Sequence, residues 1–233
     1  LIDIVGWQHR GCGGAQLGPG LVAALALLAR PFAPAEAVVI KPSTVVNGFA
    51  TAMMQLVRGA RALLLHAPLP VYLGSIARKG MTGRLWVRDL LTKQLKEGQH
   101  RFGFSGDDYL GQTDLQVAAM GWLAQQALFA GMAARFEGRV ACIDSESLMA
   151  NPLPAMTGLA RLFGLALDVP AIVAGPAFTR HSKSGTAFSA EDRLAVQALE
   201  AAHADEIAKV TAWTLAVAQA SGVPMDLPRP LIA

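Results

Sequence analysis

The sequence predicts an α/β layered fold in one domain spanning residues 1–233, on three observations. Short apolar runs alternate with longer segments of helical period. The runs do not alternate polar with apolar residues, which is how strands covered on both faces read. Each run ends in a turn signal before the next helical pattern, as in strand-helix-strand units with right-handed crossovers. The expected architecture is a three-layer sandwich, a short parallel sheet flanked by helices.

Three runs are predicted as strands, at residues 37–40, 62–65 and 140–143. A helix is expected over 20–28, ahead of the first strand, and another over 47–57 joins the first strand to the second. Helices over 71–79 and 84–96 follow the second strand, and a long one over 108–136, broken near Gly121, leads to the third. Pro152 opens a helix over 152–163, where its missing N–H costs nothing. The tail is expected to hold helices over 190–199 and 205–220, with Ser189 and Asp192 as a capping pair for the first. Three prolines in SGVPMDLPRPLIA end helicity beyond that.

Composition narrows the function classes. The chain is 53% hydrophobic and 16% charged, so it has a core to bury and is not disordered. Twenty Lys and Arg against 17 Asp and Glu give a net charge of +3, which suits a small anionic ligand and falls short of a nucleic-acid footprint. Cys12 and Cys142 lie in no metal-ligand or disulfide pattern, which predicts a reducing cytoplasm and no metal. The opening residues show no signal-peptide pattern. The apolar segment 17–28 is too short to span a membrane, and the one at 115–134 carries Gln116, Gln125 and Gln126, so a buried core helix is expected and no membrane partner.

In open parallel sheets ligands bind beyond the carboxyl ends of the strands, here KPST, HAPLP and DSES. Lys41 ends an apolar run, where an ammonium needs an anion or solvent. Ser43 or Thr44 is expected to cap the following helix. The HAPLPVYLGS turn feeds a helix N-terminus, which favours an anion, and Ser75 can add a hydroxyl donor. Asp144 and Glu146 are expected to serve a helix cap or an Arg partner rather than acid/base chemistry. Arg180 and Lys183, with His181, sit among small hydroxylated residues in TRHSKSGTAFS, the makings of a phosphate clamp or simply a basic surface loop. Residues 98–108 are expected to form a mobile lid. His9, His100 and His203 are expected at the surface, and the four tryptophans in the core. No G-x-x-x-x-G-K-[ST], G-x-G-x-x-G after a strand, or G-x-S-x-G occurs.

Taken in order, these pieces resemble the sulfotransferase family of P-loop proteins. VVIKPSTVVN looks like that family's early strand with its Lys, and RALLLHAPLPVYLGSI resembles the strand, proline turn and helix that hold the 3'-phosphate of the sulfate donor. GRVACIDSESLMANPLPAMTGLARLFGL is similar to the late strand, acidic turn and helix. The match covers roughly residues 37–185. The resemblance implies a P-loop NTPase-like fold whose first strand and phosphate loop are missing from these residues, and hence an amino-terminally truncated piece.

The same resemblance implies 3'-phosphoadenylyl sulfate as co-substrate, a small-molecule hydroxyl or amine acceptor, and no metal. Ser75 matches the phosphate-binding Ser. His66 or Ala67 falls where an Arg is expected, so a charged fork is replaced by a weaker, pH-dependent donor or lost. Ser43 stands about where many members place a catalytic His, which leaves the base unassigned. Arg180 or Lys183 would compensate for the Arg. The competing expectations are a non-catalytic interaction module of the same fold and another P-loop transferase such as a small-molecule kinase.

Overall fold

Two five-residue runs pair as parallel strands, β1 (Ala62–His66) and β2 (Val140–Asp144), in register from Ala62 opposite Val140 to His66 opposite Asp144. The computed structural model describes residues 1–34, 36–179 and 190–232. Around the strands lie α1 (Ile2–His9), α2 (Gly14–Leu28), a 3-10 turn (Thr44–Phe49), α3 (Ala50–Leu56), α4 (Leu69–Arg78) and α5 (Gly80–Lys96). Next come α6 (Gly106–Gly111), α7 (Asp114–Arg135), α8 (Ser145–Ala150), α9 (Pro152–Phe163), α10 (Val169–Ala174), α11 (Pro176–Thr179) and α12 (Ala190–Ser221). The result is a mixed helix/strand protein whose short parallel sheet is flanked by helices.

The expected first strand does not form. Residues 37–40 have no regular secondary structure and no strand partner among the described residues, and Val38 and Val39 face solvent. β-branched residues favour a pleated surface only when a neighbour covers them, and none of the described residues does so here. On the far edge of β2 lies a partner the sequence did not announce. The Cys142 N–H donates to Arg229 O (2.9 Å) and the Leu231 N–H to Cys142 O (2.8 Å), so the proline-broken tail runs parallel to β2. Arg229 sits at φ +60°. Its Nε donates to Ala133 O (3.0 Å) and its head pairs with Glu137 (2.6 Å), which clasps the tail to the end of α7.

α7 is the axis of the core. Its N-terminal half, from Leu115 to Leu123, packs with α4, α5 and α12, while Phe129, Met132 and Ala133 join Leu64, Val140 and Cys142 under the strands. Serving two clusters is why this helix is apolar on nearly every face. Gly121 lies inside it rather than at a break, and a Cβ there would come 3.1 Å from Gln94 Oε1. The break falls at Gln112, where Thr113 caps α7 in a reciprocal box with Gln116. The two expected tail helices are one, α12, because residues 200–204 (EAAHA) hold no breaker. Ser189 lies outside the described residues.

Residues 98–108, the segment expected as a lid, touch the core at two points. His100 is half-buried between Tyr109 Oη (3.0 Å from Nδ1) and Gln94 Oε1 (2.9 Å from Nε2). Phe104 stacks on Trp213, and Ser105 and Asp108 cap α6 reciprocally. His9 is likewise held inside, 3.0 Å from Glu97. Neither histidine is the surface residue that the sequence suggests, because single-residue spacing carries no sign of partners that arrive from other elements.

Candidate functional site

β1 and β2 run parallel and end together, so two strand-turn-helix units open side by side. After His66, residues Ala67 and Pro68 lead into α4; after Asp144, α8 starts at once. The turn after β1 is fastened from below, because Trp122 Nε1 on α7 donates to Ala67 O (2.8 Å). Pro68 stands as N-cap and Pro70 in the first turn of α4, so neither offers an N–H, and the Tyr72 N–H already donates to Pro68 O (2.9 Å). Two donors, Leu69 and Val71, remain of the four a helix start usually presents.

A cavity of about 150 Å³ sits beyond the strand ends, lined by His66, Asp144 and Ser147 on one side and by Asp226, Pro230 and Leu231 of the tail on the other. His66 and Asp144 are register neighbours and face the same side of the sheet. Burial pushes the His66 imidazole below its ordinary value, against the opposing pull of Asp144, the Leu64 and Ile143 carbonyls and Asp226. Its Nδ1 is shielded from solvent and meets no partner at hydrogen-bond geometry among the described residues. Burial opposes ionisation of Asp144, but bonds from the Ser147 side chain and the Ser147 and Glu146 amides, with His66 nearby, hold its carboxyl below the usual range. One Asp144 oxygen accepts from both amides, at 2.9 and 3.0 Å, and so caps α8. Burial pushes the Cys142 thiol up to about 11, so it stays protonated.

The sequence-predicted residues are not gathered in this cavity. Lys41 is exposed in the unpaired segment. Ser75 is half-buried on α4, six residues and so about 9 Å along the axis from Leu69, and it does not line the strand-end cavity. His66 is at the strand end as expected. Arg180 and Lys183 lie outside the described residues. Asp144 plays the capping role expected of it, and Glu146 points to solvent.

Sequence reasoning missed Asp226 and the tail. Its signal was available: Leu227 between spaced prolines, with Leu231 and Ile232 just after the last, makes an apolar stretch compatible with an edge position where proline is tolerated. A larger groove of about 620 Å³ lies elsewhere, between Phe102 and Phe104 and the outer end of α12 near Trp213 and Val217. Its polar side chains are Arg101 and Ser221, and the Ser221 hydroxyl is spent on Val217 O (2.6 Å), so the titratable chemistry belongs to the strand-end cavity.

Chemically, the strand end presents a neutral imidazole beside two carboxylates. A hydroxyl or amine fits such a lining better than an anion does, and an anion needs cations brought from other segments. No family profile, curated protein or solved structure matches this chain.

Proposed function

We propose that this chain is a sulfotransferase-like domain of P-loop NTPase-like fold, built to move a sulfuryl group from 3'-phosphoadenylyl sulfate to a hydroxyl or amine of a small acceptor. The observation that carries the reading is the paired, in-register end of β1 and β2, from which two helices leave side by side. Open sheets bind ligands at such an end. In the reaction the acceptor oxygen or nitrogen attacks sulfur, the bond from sulfur to the donor's phosphate oxygen breaks, and the acceptor releases a proton. Adenosine 3',5'-bisphosphate leaves. Like phosphoryl transfer, this chemistry rests on positioning and on charge stabilisation.

Within the proposal Ser75 contacts the 3'-phosphate, while Lys41, Arg180 and Lys183 supply its counter-charge. His66 adds one neutral donor in place of a charged fork. These 233 residues contain no Gly-rich phosphate cradle, so the expected behaviour of this chain is weak donor binding and no turnover. Isothermal calorimetry with adenosine 3',5'-bisphosphate tests the reading on the wild-type chain, Ser75→Ala, and the double variant Arg180→Ala/Lys183→Ala. Weaker binding by both variants is expected. Equal affinity in all three, or no binding by the wild type, refutes the assigned phosphate contacts, and measurable sulfate transfer refutes the inactivity.

One observation favours a second reading, a non-catalytic interaction module of the same architecture. Asp144 and Asp226 both face the strand-end cavity, and no cation among the described residues lines it. A chain that ignores the bisphosphate yet folds cooperatively is the outcome that selects this reading.

A further inference from the structure

The phase of the β1–β2 ladder leaves one edge of the sheet without a partner strand among the described residues. The Ala62 N–H donates to Arg139 O (2.9 Å), so Ala62, Leu64 and His66 turn their main-chain groups toward β2, and Leu63 and Leu65 turn theirs away. On β2 the same alternation points Cys142 at the tail, and its two bonds to Arg229 and Leu231 are made. Leu63 and Leu65 have no main-chain partner among the described residues, and the Leu65 side chain is 46% exposed. An exposed, apolar edge without Lys, Pro or a bulge is a template for another strand.

The same chain carries a strand-forming run with no partner among the described residues. Residues 37–40 (AVVI), the run the sequence predicts as a strand, adopt no regular secondary structure and make no main-chain hydrogen bond among the described residues; Val38 is 41% and Val39 65% exposed. β-branched residues in sequence are strand formers when covered. Just downstream, Val46 is buried and Asn47 donates to Gln125 Oε1 of α7 (3.0 Å), so the segment is tethered at a fixed place on the fold rather than trailing from it. Upstream, Pro31 and Pro34 stiffen the approach.

We infer that this chain self-associates by reciprocal strand addition, the segment 37–40 of each copy pairing along the outer edge of β1 of the other. A second copy is the occupant because each protomer holds both complementary halves, a strand-forming run and a sheet edge that both lack a partner among the described residues. Exchange between two copies satisfies all four and closes the assembly at a dimer, as isologous contacts do. Each addition buries Val38, Val39 and Leu65 and extends the sheet of each protomer by one strand. Self-association of this kind does not use the strand-end cavity, and sedimentation reads it separately from bisphosphate binding.

The test is sedimentation of three preparations of the full chain: wild type, Val39→Glu and Leu65→Lys. Both positions are exposed, so both variants are expected to fold, and circular dichroism checks it. The wild type is expected to dimerise with rising concentration and each variant alone to stay monomeric. A mixture of the two variants is expected to recover the dimer. In it the carboxylate introduced on one strand meets the ammonium introduced on the other copy's edge, while the second addition keeps Val39 and Leu65. A monomeric wild type at all soluble concentrations overturns the inference, and protected Leu63 and Leu65 amides in that monomer would place the strand in the same chain. A dimer that survives either charge, or a mixture that stays monomeric, also overturns it.

Discussion

His100 is expected to make this protein acid-sensitive in a window set by one half-buried ring. The chemistry of its neighbours assigns the tautomer. Gln94 Nε2 donates to Gly121 O (3.2 Å), so Gln94 Oε1 accepts, His100 Nε2 carries the proton, and Nδ1 accepts from the Tyr109 hydroxyl. Phe102 and Tyr109 stand edge-on to the ring at centroid distances of 5.5 and 5.3 Å. Burial lowers the His100 pKa from 6.5 to about 4. Above pH 6.5 both folded and unfolded chains are neutral here and the group contributes nothing to pH dependence. Between 6.5 and about 4 the unfolded chain takes the proton and the folded chain does not, so folding loses about 1.4 kcal/mol per pH unit, roughly 3 kcal/mol in all. Below that window both states are protonated and this loss levels off.

The assay is urea unfolding of wild type and His100→Gln from neutral pH down to about pH 4. Gln keeps hydrogen-bonding capacity and cannot titrate. The difference between the two stability curves isolates this ring from His66, whose lowered pKa acts in the same direction, and from Asp108, Asp114 and Asp144, whose lowered pKa values act at more acidic pH. Stability curves that run parallel through the window would refute the reasoning.

Three further perturbations follow from the packing. Arg139 donates to the carbonyls of Met54 (3.2 Å), Arg58 (2.6 Å) and Ala60 (3.3 Å), closing the end of α3 and the turn into β1; Arg139→Lys cannot span this fan and should cost about 1.5–3 kcal/mol by chemical denaturation. A loss within experimental error would show the fan to be idle. Gly83→Ala places a Cβ 2.6 Å from Ile76 O at the α4–α5 joint and should destabilise by about 1–3 kcal/mol, whereas Gly131→Ala in α7 meets open space and should stabilise by roughly 0.5–1 kcal/mol. Equal shifts in thermal midpoint for the two would contradict this. Asp144→Ala removes the cap of α8 and should cost about 1 kcal/mol, while Asp144→Asn, which can still accept from the Glu146 and Ser147 amides, should cost far less. Matching losses in the two variants would assign the effect to charge instead of capping.

Periodicity and caps made most of the helices legible. Pro152 at a helix start, and the apolar runs ALLL and VACI, led directly to α9, β1 and β2. The candidate site was legible at His66 and Asp144, because both close an apolar run, and illegible at Asp226, because a carboxylate 82 residues away in sequence from Asp144 gives no local sign of reaching the same cavity. His9 and His100 failed for the same reason. Their partners, Glu97, Tyr109 and Gln94, come from other elements or from the far side of a loop.

Local pattern alone marked most of the long helices of this protein and the runs apolar enough to be strands. Packing then selected which strand candidate finds a neighbour. AVVI and VACID have similar β-forming composition, yet only VACID lies where β1 and the tail can pair with it on either edge. A strand is completed by hydrogen bonds to another segment, and that segment's position is a property of the packed chain around α7, not of the residues in the strand. A helix closes its hydrogen bonds within itself, which is why its place could be read one residue after another.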